Sequence, residues 1–167
     1  MDSELIYVLY GSQTGNAQEI AKSIYYLLTD NGHPCKYLSL NETIENETFL
    51  FLGNDCSSNL IIICSTTGNG DAPENANYFW RKLKNRNHPN NLFQKIQYMV
   101  LGLGDSNYDK FCQMGKYLDS RFNELGGKRI IDLYCADEAG DFEETVDLFI
   151  QKINSVVIHP IKIVLLI

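Results

Sequence analysis

The sequence predicts an α/β protein: a doubly wound, five-stranded parallel sheet with helices on both faces. Three observations predict it. Five short apolar runs bear the marks of strands, and stretches with apolar residues at helical spacing separate most of them. Strands alternating with helices imply a parallel sheet covered on both sides. The length, 167 residues, suits one domain with a sizeable core.

The first run, residues 5–10, reads as a buried strand. It leads into Gly11-Ser12-Gln13-Thr14-Gly15-Asn16-Ala17, and then into Ile20, Ile24, Leu27 and Leu28, whose spacing marks an amphipathic helix. Four more strand runs follow at residues 35–40, 59–64, 97–101 and 129–134. Ala76, Phe79, Trp80 and Leu83 form a helical stripe after Pro73, which suits a first-turn position. Met114, Leu118, Phe122 and Leu125 form another, stopped by Gly126-Gly127. Val146, Phe149, Ile150 and Ile153 form the last, with Asp141 and Glu144 spaced as a capping pair before it. Residues 41–58 break the rhythm, and residues 48–52 read equally as a short helix or an extra strand. We expect one domain over residues 1–154. The apolar tail beyond it reads as an added edge strand, a linker or the start of a further domain.

Composition excludes several function classes. The net charge of −7 argues against nucleic acid and favours a basic protein surface as partner. No apolar run approaches the roughly 20 residues that span a bilayer. The acidic start, Met1-Asp2-Ser3-Glu4, is unlike a secretory signal, so a cytoplasmic protein is the expectation. Cys35, Cys56, Cys64, Cys112 and Cys135 have no metal-binding spacing and read as reduced thiols, with Cys64 and Cys135 in strand runs as small core residues. His33, His88 and His159 are scattered, and no metal site is expected.

The turn after the first strand is an anion site by its chemistry. A helix start presents free N–H groups and the positive end of its dipole. Ser12 and Thr14 add hydroxyls, and Gly11 and Gly15 permit a tight turn. The turn lacks the Lys-Ser/Thr ending of a nucleoside-triphosphate loop and the three-glycine dinucleotide pattern. No Lys or Arg precedes Lys22, so the donors are neutral and suit a phosphate monoester on a cofactor. Two further loops follow the third and fourth strands: Ser65-Thr66-Thr67-Gly68-Asn69-Gly70-Asp71 and Gly102-Leu103-Gly104-Asp105-Ser106-Asn107-Tyr108. Parallel strands place all three on one edge of the sheet, where open α/β sheets bind ligands. The last two suit a flat polar ring, with Tyr108 offering an aromatic face.

With these three loops, and with Phe111-Cys112, Gly115-Lys116, Glu124-Leu125-Gly126 and Ala136-Asp137-Glu138, the chain resembles the flavodoxin-like FMN domains of the diflavin reductases over residues 5–153. Within that family it looks most like the methionine synthase reductase branch. The cytosolic NADPH-dependent diflavin reductases of iron–sulfur assembly are a close second. NADPH–haemoprotein reductases carry a Tyr where this chain has Thr67, which leaves the inner ring face less enclosed. The resemblance implies strand order 2-1-3-4-5. It implies that Ser12, Gln13, Thr14, Gly15, Asn16 and Ala17 wrap the FMN phosphate. Ser65, Thr66, Thr67, Gly68, Asn69 and Gly70 would border the ring, with the Gly68 backbone near the ring nitrogen that gains a proton on reduction. Leu103, Gly104, Asp105, Ser106, Asn107, Tyr108, Phe111 and Cys112 would cover the outer side, and Glu138 would make the last flavin contact.

The resemblance further implies electrons arriving from an FAD and NADPH reductase module, whose catalytic residues this chain lacks, and leaving singly to a protein acceptor. The protein is then a monomeric fragment of a diflavin reductase or a free-standing flavodoxin-type shuttle. A receiver-type signalling domain and an interaction module without flavin share the fold. The first lacks its acidic cluster here, and the intact phosphate loop argues against the second. Two expectations concern charge. Asp71, Asp105, Asp137 and Glu138 near the ring would disfavour a reduced anionic flavin. Asp137 and Glu138, with Asp141, Glu143, Glu144 and Asp147, would form an acidic docking rim remote from Arg81, Lys82, Lys84 and Arg86.

Overall fold

The computed structural model describes residues 5–45 and 57–160. Strand β1 (Ile6–Gly11) is followed by helix α1 (Asn16–Asp30), β2 (Cys35–Ser39) and a single helical turn α2 (Glu42–Glu45). Then come β3 (Ser58–Ser65), α3 (Glu74–Leu83), β4 (Ile96–Gly104) and α4 (Gln113–Glu124). Two short strands, β5 (Lys128–Arg129) and β6 (Tyr134–Asp137), precede α5 (Phe142–Ile153) and a π-helical extension, Asn154–Ile158. Every named strand pair is parallel, and the order is β2-β1-β3-β4-β5, with β6 also on β4. This is the doubly wound sheet and strand order expected above.

Alternation along each strand builds two cores. Tyr7 and Leu9 of β1 and Leu60 and Ile62 of β3 face α3 and α4, where Phe79, Leu83, Leu118 and Phe122 meet them. Ile6, Val8 and Tyr10, with Ile61 and Ile63, face α1 and α5, meeting Ala17, Ile24, Leu28, Val146 and Phe149. The strand runs are continuously apolar because both faces are covered.

The fifth strand departs from expectation. Residues 129–134 do not form one strand. Gln97 and Tyr98 pair with Lys128 and Arg129, an offset of 31, whereas Leu101 to Gly104 pair with Tyr134 to Asp137, an offset of 33. Two extra residues therefore bulge between the halves. The slip is even, so β5 and β6 keep one facing, with Arg129 and Leu133 on the α4 side and Tyr134 on the other, while within the bulge Ile130 and Ile131 both reach the α1–α5 core. The bidentate bond of Arg129 to Asp119 on α4, at 2.8 and 2.7 Å, anchors the first half.

Smaller corrections follow. Asp141 stands at the start of α5 but makes no side-chain cap, so the capping pair does not form. Pro73 flanks α3 one residue before its first turn. The tail begins as a helical extension, with Val157 and Ile158 packed on the α1–α5 core, rather than as an edge strand. Residues 48–52 and the rest of the tail lie outside the described residues.

One feature of the sheet positions the site. Gly11, Cys64, Gly102 and Cys135 stand side by side across β1, β3, β4 and β6. A methyl on Gly11 would lie 2.7 Å from Ala76 Cβ, and one on Gly115 would lie 2.6 Å from Gly102 Cα. Small residues in this row let α3 and α4 settle directly on the strands, one step before the three loops leave the sheet.

Candidate functional site

The three loops meet in a cleft of about 440 Å³ at the carboxyl edge of β1, β3 and β4. That size falls within the ordinary range of small-molecule and cofactor sites. Gln13, Thr14 and Asn16 line one end, Ser65, Thr66, Thr67 and Gly68 the floor, and Leu103, Gly104, Asp105, Tyr108, Lys110 and Glu138 the remaining wall.

The first loop is held from behind. Ser12 N–H donates to Asn75 Oδ1 of α3 at 2.8 Å, and Gly15 N–H donates to Ser12 Oγ at 3.0 Å. Gly15 precedes α1 at φ 102°, a left-handed conformation that a β-carbon disfavours, with no side-chain cap on the helix. Among the described residues, the backbone N–H groups of Thr14, Asn16 and Ala17 have no protein acceptor. They are a ready anion cradle at a helix start. Ser12 thus braces the loop through its hydroxyl oxygen and keeps its O–H as a further donor, and Ala17 is buried beneath the loop, contributing only its backbone.

The second loop is a tight turn closed by Thr67. Its N–H donates to Asp71 O at 2.9 Å, and Asp71 N–H returns a bond at 2.8 Å. The Thr67 hydroxyl donates to Asp71 O and Ala72 O. Gly68 has φ 46° and its N–H has no acceptor among the described residues. Thr66 N–H donates to Leu103 O at 3.2 Å, and its hydroxyl accepts Met114 N–H at 3.2 Å, tying this loop to β4 and α4. Asn69 and Gly70 do not line the cleft; Gly70 packs under Lys110.

The third loop is built on carboxylates. Asp105 Oδ1 accepts Asn107 N–H at 2.8 Å, and Asp105 O accepts Tyr108 N–H at 3.1 Å. Asp137 Oδ1 accepts Ser106 N–H at 2.9 Å and Ala139 N–H at 3.0 Å. The Ser106 bonds, with that from Ala139, hold the Asp137 carboxyl below its ordinary pKa. The Tyr108 ring is 66% exposed at the mouth, free to cover a bound face. Ser106, Asn107 and Phe111 stand outside the cleft lining, and Cys112 is fully buried beneath the loop at φ 51°.

The charges resolve unequally. Asp105 and Glu138 reach the cleft; Asp71 and Asp137 do not line it. Lys110, which the glycine and hydroxyl pattern of the loops does not single out, is the cation in the wall. Its place two residues after Tyr108 was the available signal. Glu138 and Asn16 also border a shallow acidic hollow with Asp141, Glu143 and Glu144. Beside the first loop, Tyr10 stacks on Tyr37 at 5.0 Å, and burial, then Tyr37 and Glu42, push its hydroxyl up to about 12. Free neutral donors at one end, an adaptable aromatic at the mouth and a polar floor fit a ligand with a phosphate and a flat heteroaromatic ring.

Comparison with known proteins agrees. The family model described as Flavodoxin matches residues 8–149. The chain is 39% identical over 129 residues to NADPH-dependent diflavin oxidoreductase 1 of Schizosaccharomyces pombe, covering 77% of this chain and 21% of the relative. It is 41% identical over 128 residues to the sulfite reductase [NADPH] flavoprotein alpha-component of Bacillus subtilis, covering 77% and 20%. It is 34% identical over 144 residues to methionine synthase reductase of Mus musculus, covering 86% and 20%. The chain therefore spans about a fifth of the length of these relatives. Among solved structures, a mutant of flavodoxin from Pseudomonas aeruginosa matches with a TM-score of 0.67 at 24% identity, over 90% of this chain and 99% of that one. A Streptococcus pneumonia flavodoxin matches with 0.68 at 24%, over 92% and 99%. At these identities the structural likeness speaks to fold alone.

Proposed function

The chain belongs to the flavodoxin family, and on that premise we propose that it is an FMN-binding electron-transfer domain of the diflavin reductase type. Electrons would reach it from an FAD- and NADPH-binding reductase module and leave singly to a redox protein. FMN, when bound, supplies the redox chemistry, and the protein positions it and sets its surroundings. The observation that carries this reading is the meeting of three loops in one cleft whose anion end offers only neutral donors.

The free N–H groups of Thr14, Asn16 and Ala17 would hold the phosphate. The Gly68 N–H would meet the ring edge where a proton is gained, and Tyr108 would cover one face. Asp105 and Glu138 place negative charge on the wall and Lys110 opposes it, so the balance of these three sets the local field. Thr67 in the second loop favours the methionine synthase reductase and cytosolic diflavin oxidoreductase branches. The acceptor would carry a basic docking surface, recognised by Glu138 and the adjoining Asp141, Glu143 and Glu144. A cytoplasmic, monomeric protein fits this role, as do the free thiols of Cys35, Cys64, Cys112 and Cys135.

The test is anaerobic mixing of the FMN-loaded chain with NADPH, with and without the FAD module of a diflavin reductase. The flavin spectrum should bleach only when the module is present. Transfer should slow as salt rises, and Glu138→Lys should slow it at low salt and flatten that dependence. Glu138 is preferred to Asp137 for charge reversal because Asp137 holds the loop together, and since Glu138 lines the cleft the comparison is made on variant protein fully loaded with FMN. Bleaching by NADPH alone, or no bleaching with the module, would contradict the reading.

A further inference from the structure

Beneath the third loop lie two thiols that the flavin role leaves unused. Cys135 pairs with Gly102 in the parallel register. Its neighbours Tyr134 and Ala136 pack on the α1–α5 side and Leu133 on the other, so Cys135 faces α4. Gly102 and Gly115 let α4 lie directly on β4, and this draws in Cys112, the residue before the helix. Its Cβ and Sγ lie 3.4 and 3.6 Å from where a methyl on Gly102 would stand. Adjacent strands are about 4.8 Å apart. The two thiols therefore share the space between α4 and the sheet, close enough for each to influence the other's protonation.

Their surroundings give them different chemistry. Cys112 is fully buried, with Ala136 O at 3.8 Å from its sulfur. The neighbouring Cys135 thiol, then burial, hold it protonated. Cys135 is only half-buried. The adjacent Cys112 thiol, aided by the Lys116 ammonium and opposed by burial and Asp119, lowers it below the ordinary thiol range. Burial instead pushes Cys35 up to about 11 and Cys64 to about 12.

We propose that Cys112 and Cys135 form a peroxide-responsive dithiol, with Cys135 as the attacking sulfur and Cys112 resolving it to a disulfide. The Cys135 thiolate attacks a hydroperoxide: an S–O bond forms, the O–O bond breaks, and the leaving alkoxide takes a proton as alcohol, or as water from hydrogen peroxide. Cys112 sulfur then attacks Cys135 sulfur. The S–S bond forms, the S–O bond breaks, and hydroxide leaves with the Cys112 proton as water. Two thiols lose two electrons and one peroxide gains them. The bond would tie the start of α4, and so the end of the Tyr108 loop, to β6. This inference stands apart from flavin binding.

The test uses the whole reduced chain without added flavin, exposed to hydrogen peroxide, alkylated and mapped as non-reduced peptides. A Cys112–Cys135 linkage should appear. Cys135, half-buried and with its thiol pKa lowered, should be oxidised before Cys35, whose thiol pKa burial raises. Cys112→Ser should leave a sulfenic acid on Cys135 that dimedone traps, whereas Cys135→Ser should leave Cys112 unmodified. Recovery of both thiols free while Cys35 oxidises, accumulation of a sulfinic acid on Cys135 in the parent chain, or linkage of either to Cys56 or a second chain would overturn the proposal.

Discussion

Replacing Gly115 by Ala sets two effects of opposite sign against each other. Gly115 lies inside α4, where alanine raises intrinsic helix stability by roughly 1 kcal/mol. The new methyl would stand 2.6 Å from Gly102 Cα and 3.2 Å from Gly102 N. Carbon pairs rest at about 3.5–4.0 Å, so α4 must retreat by roughly 1 Å. Both obstacles are backbone of a buried central strand and cannot rotate away. Overpacking of this kind costs about 1–3 kcal/mol, and backbone obstacles place it near the upper end. The net loss is about 1–2 kcal/mol, or roughly 2–8 °C in Tm for a domain of this size. The retreat also carries Cys112 and the Tyr108 loop away from the cleft, so FMN affinity should fall together with Tm. Thermal melts by circular dichroism and fluorimetric FMN titration measure both. Gly32→Ala is the control: its φ of 82° strains the backbone, but nothing lies within 4 Å of the new methyl, so stability should drop with FMN affinity unchanged. A Gly115→Ala protein that melts at or above the parent temperature would refute the close-approach reasoning.

Two further outcomes follow from the charged anchors. Arg129→Leu leaves Asp119, whose side chain is 11% exposed, without its bidentate partner; a loss of roughly 2–3 kcal/mol is expected in urea unfolding, discounted for the partly exposed guanidinium. The depressed Asp137 carboxyl contributes stability that is present above the unfolded value of about 3.9 and lost as pH falls through its lower folded value. Melting temperature followed from pH 7 to pH 3 should therefore fall less steeply for Asp137→Asn than for the parent chain, and parallel curves would remove Asp137 from the acid limb.

Much of this architecture was legible in the sequence because both faces of the sheet are covered. Residues 60–64 and 98–101 are apolar without interruption, and both faces in turn demand it. The bulge between β5 and β6 was not legible. Ile130, Ile131 and Leu133 are as apolar as a continuous strand would be, and the two-residue slip shows only in the register with β4. The three loops were legible through their glycines and hydroxyls, yet composition could not separate lining from bracing. Asp137 reads as a free surface acid, and the fold makes it a hydrogen-bond hub for Ser106 and Ala139. Asp141 carries the right residue type for a cap, but no capping bond forms. Cys112 and Cys135 lie far apart along the chain, and only the glycine contact between α4 and β4 brings them together.

Titration of the purified, flavin-free chain with FMN tests the central claim most directly. The chain should take up one equivalent, with quenched flavin fluorescence and a perturbed visible band. Thr14→Glu, which places a carboxylate at the phosphate end of the cleft, should abolish uptake while leaving the far-ultraviolet circular dichroism unchanged. A folded parent chain that stays colourless in excess FMN, or a Thr14→Glu chain that binds as tightly as the parent, would contradict the account.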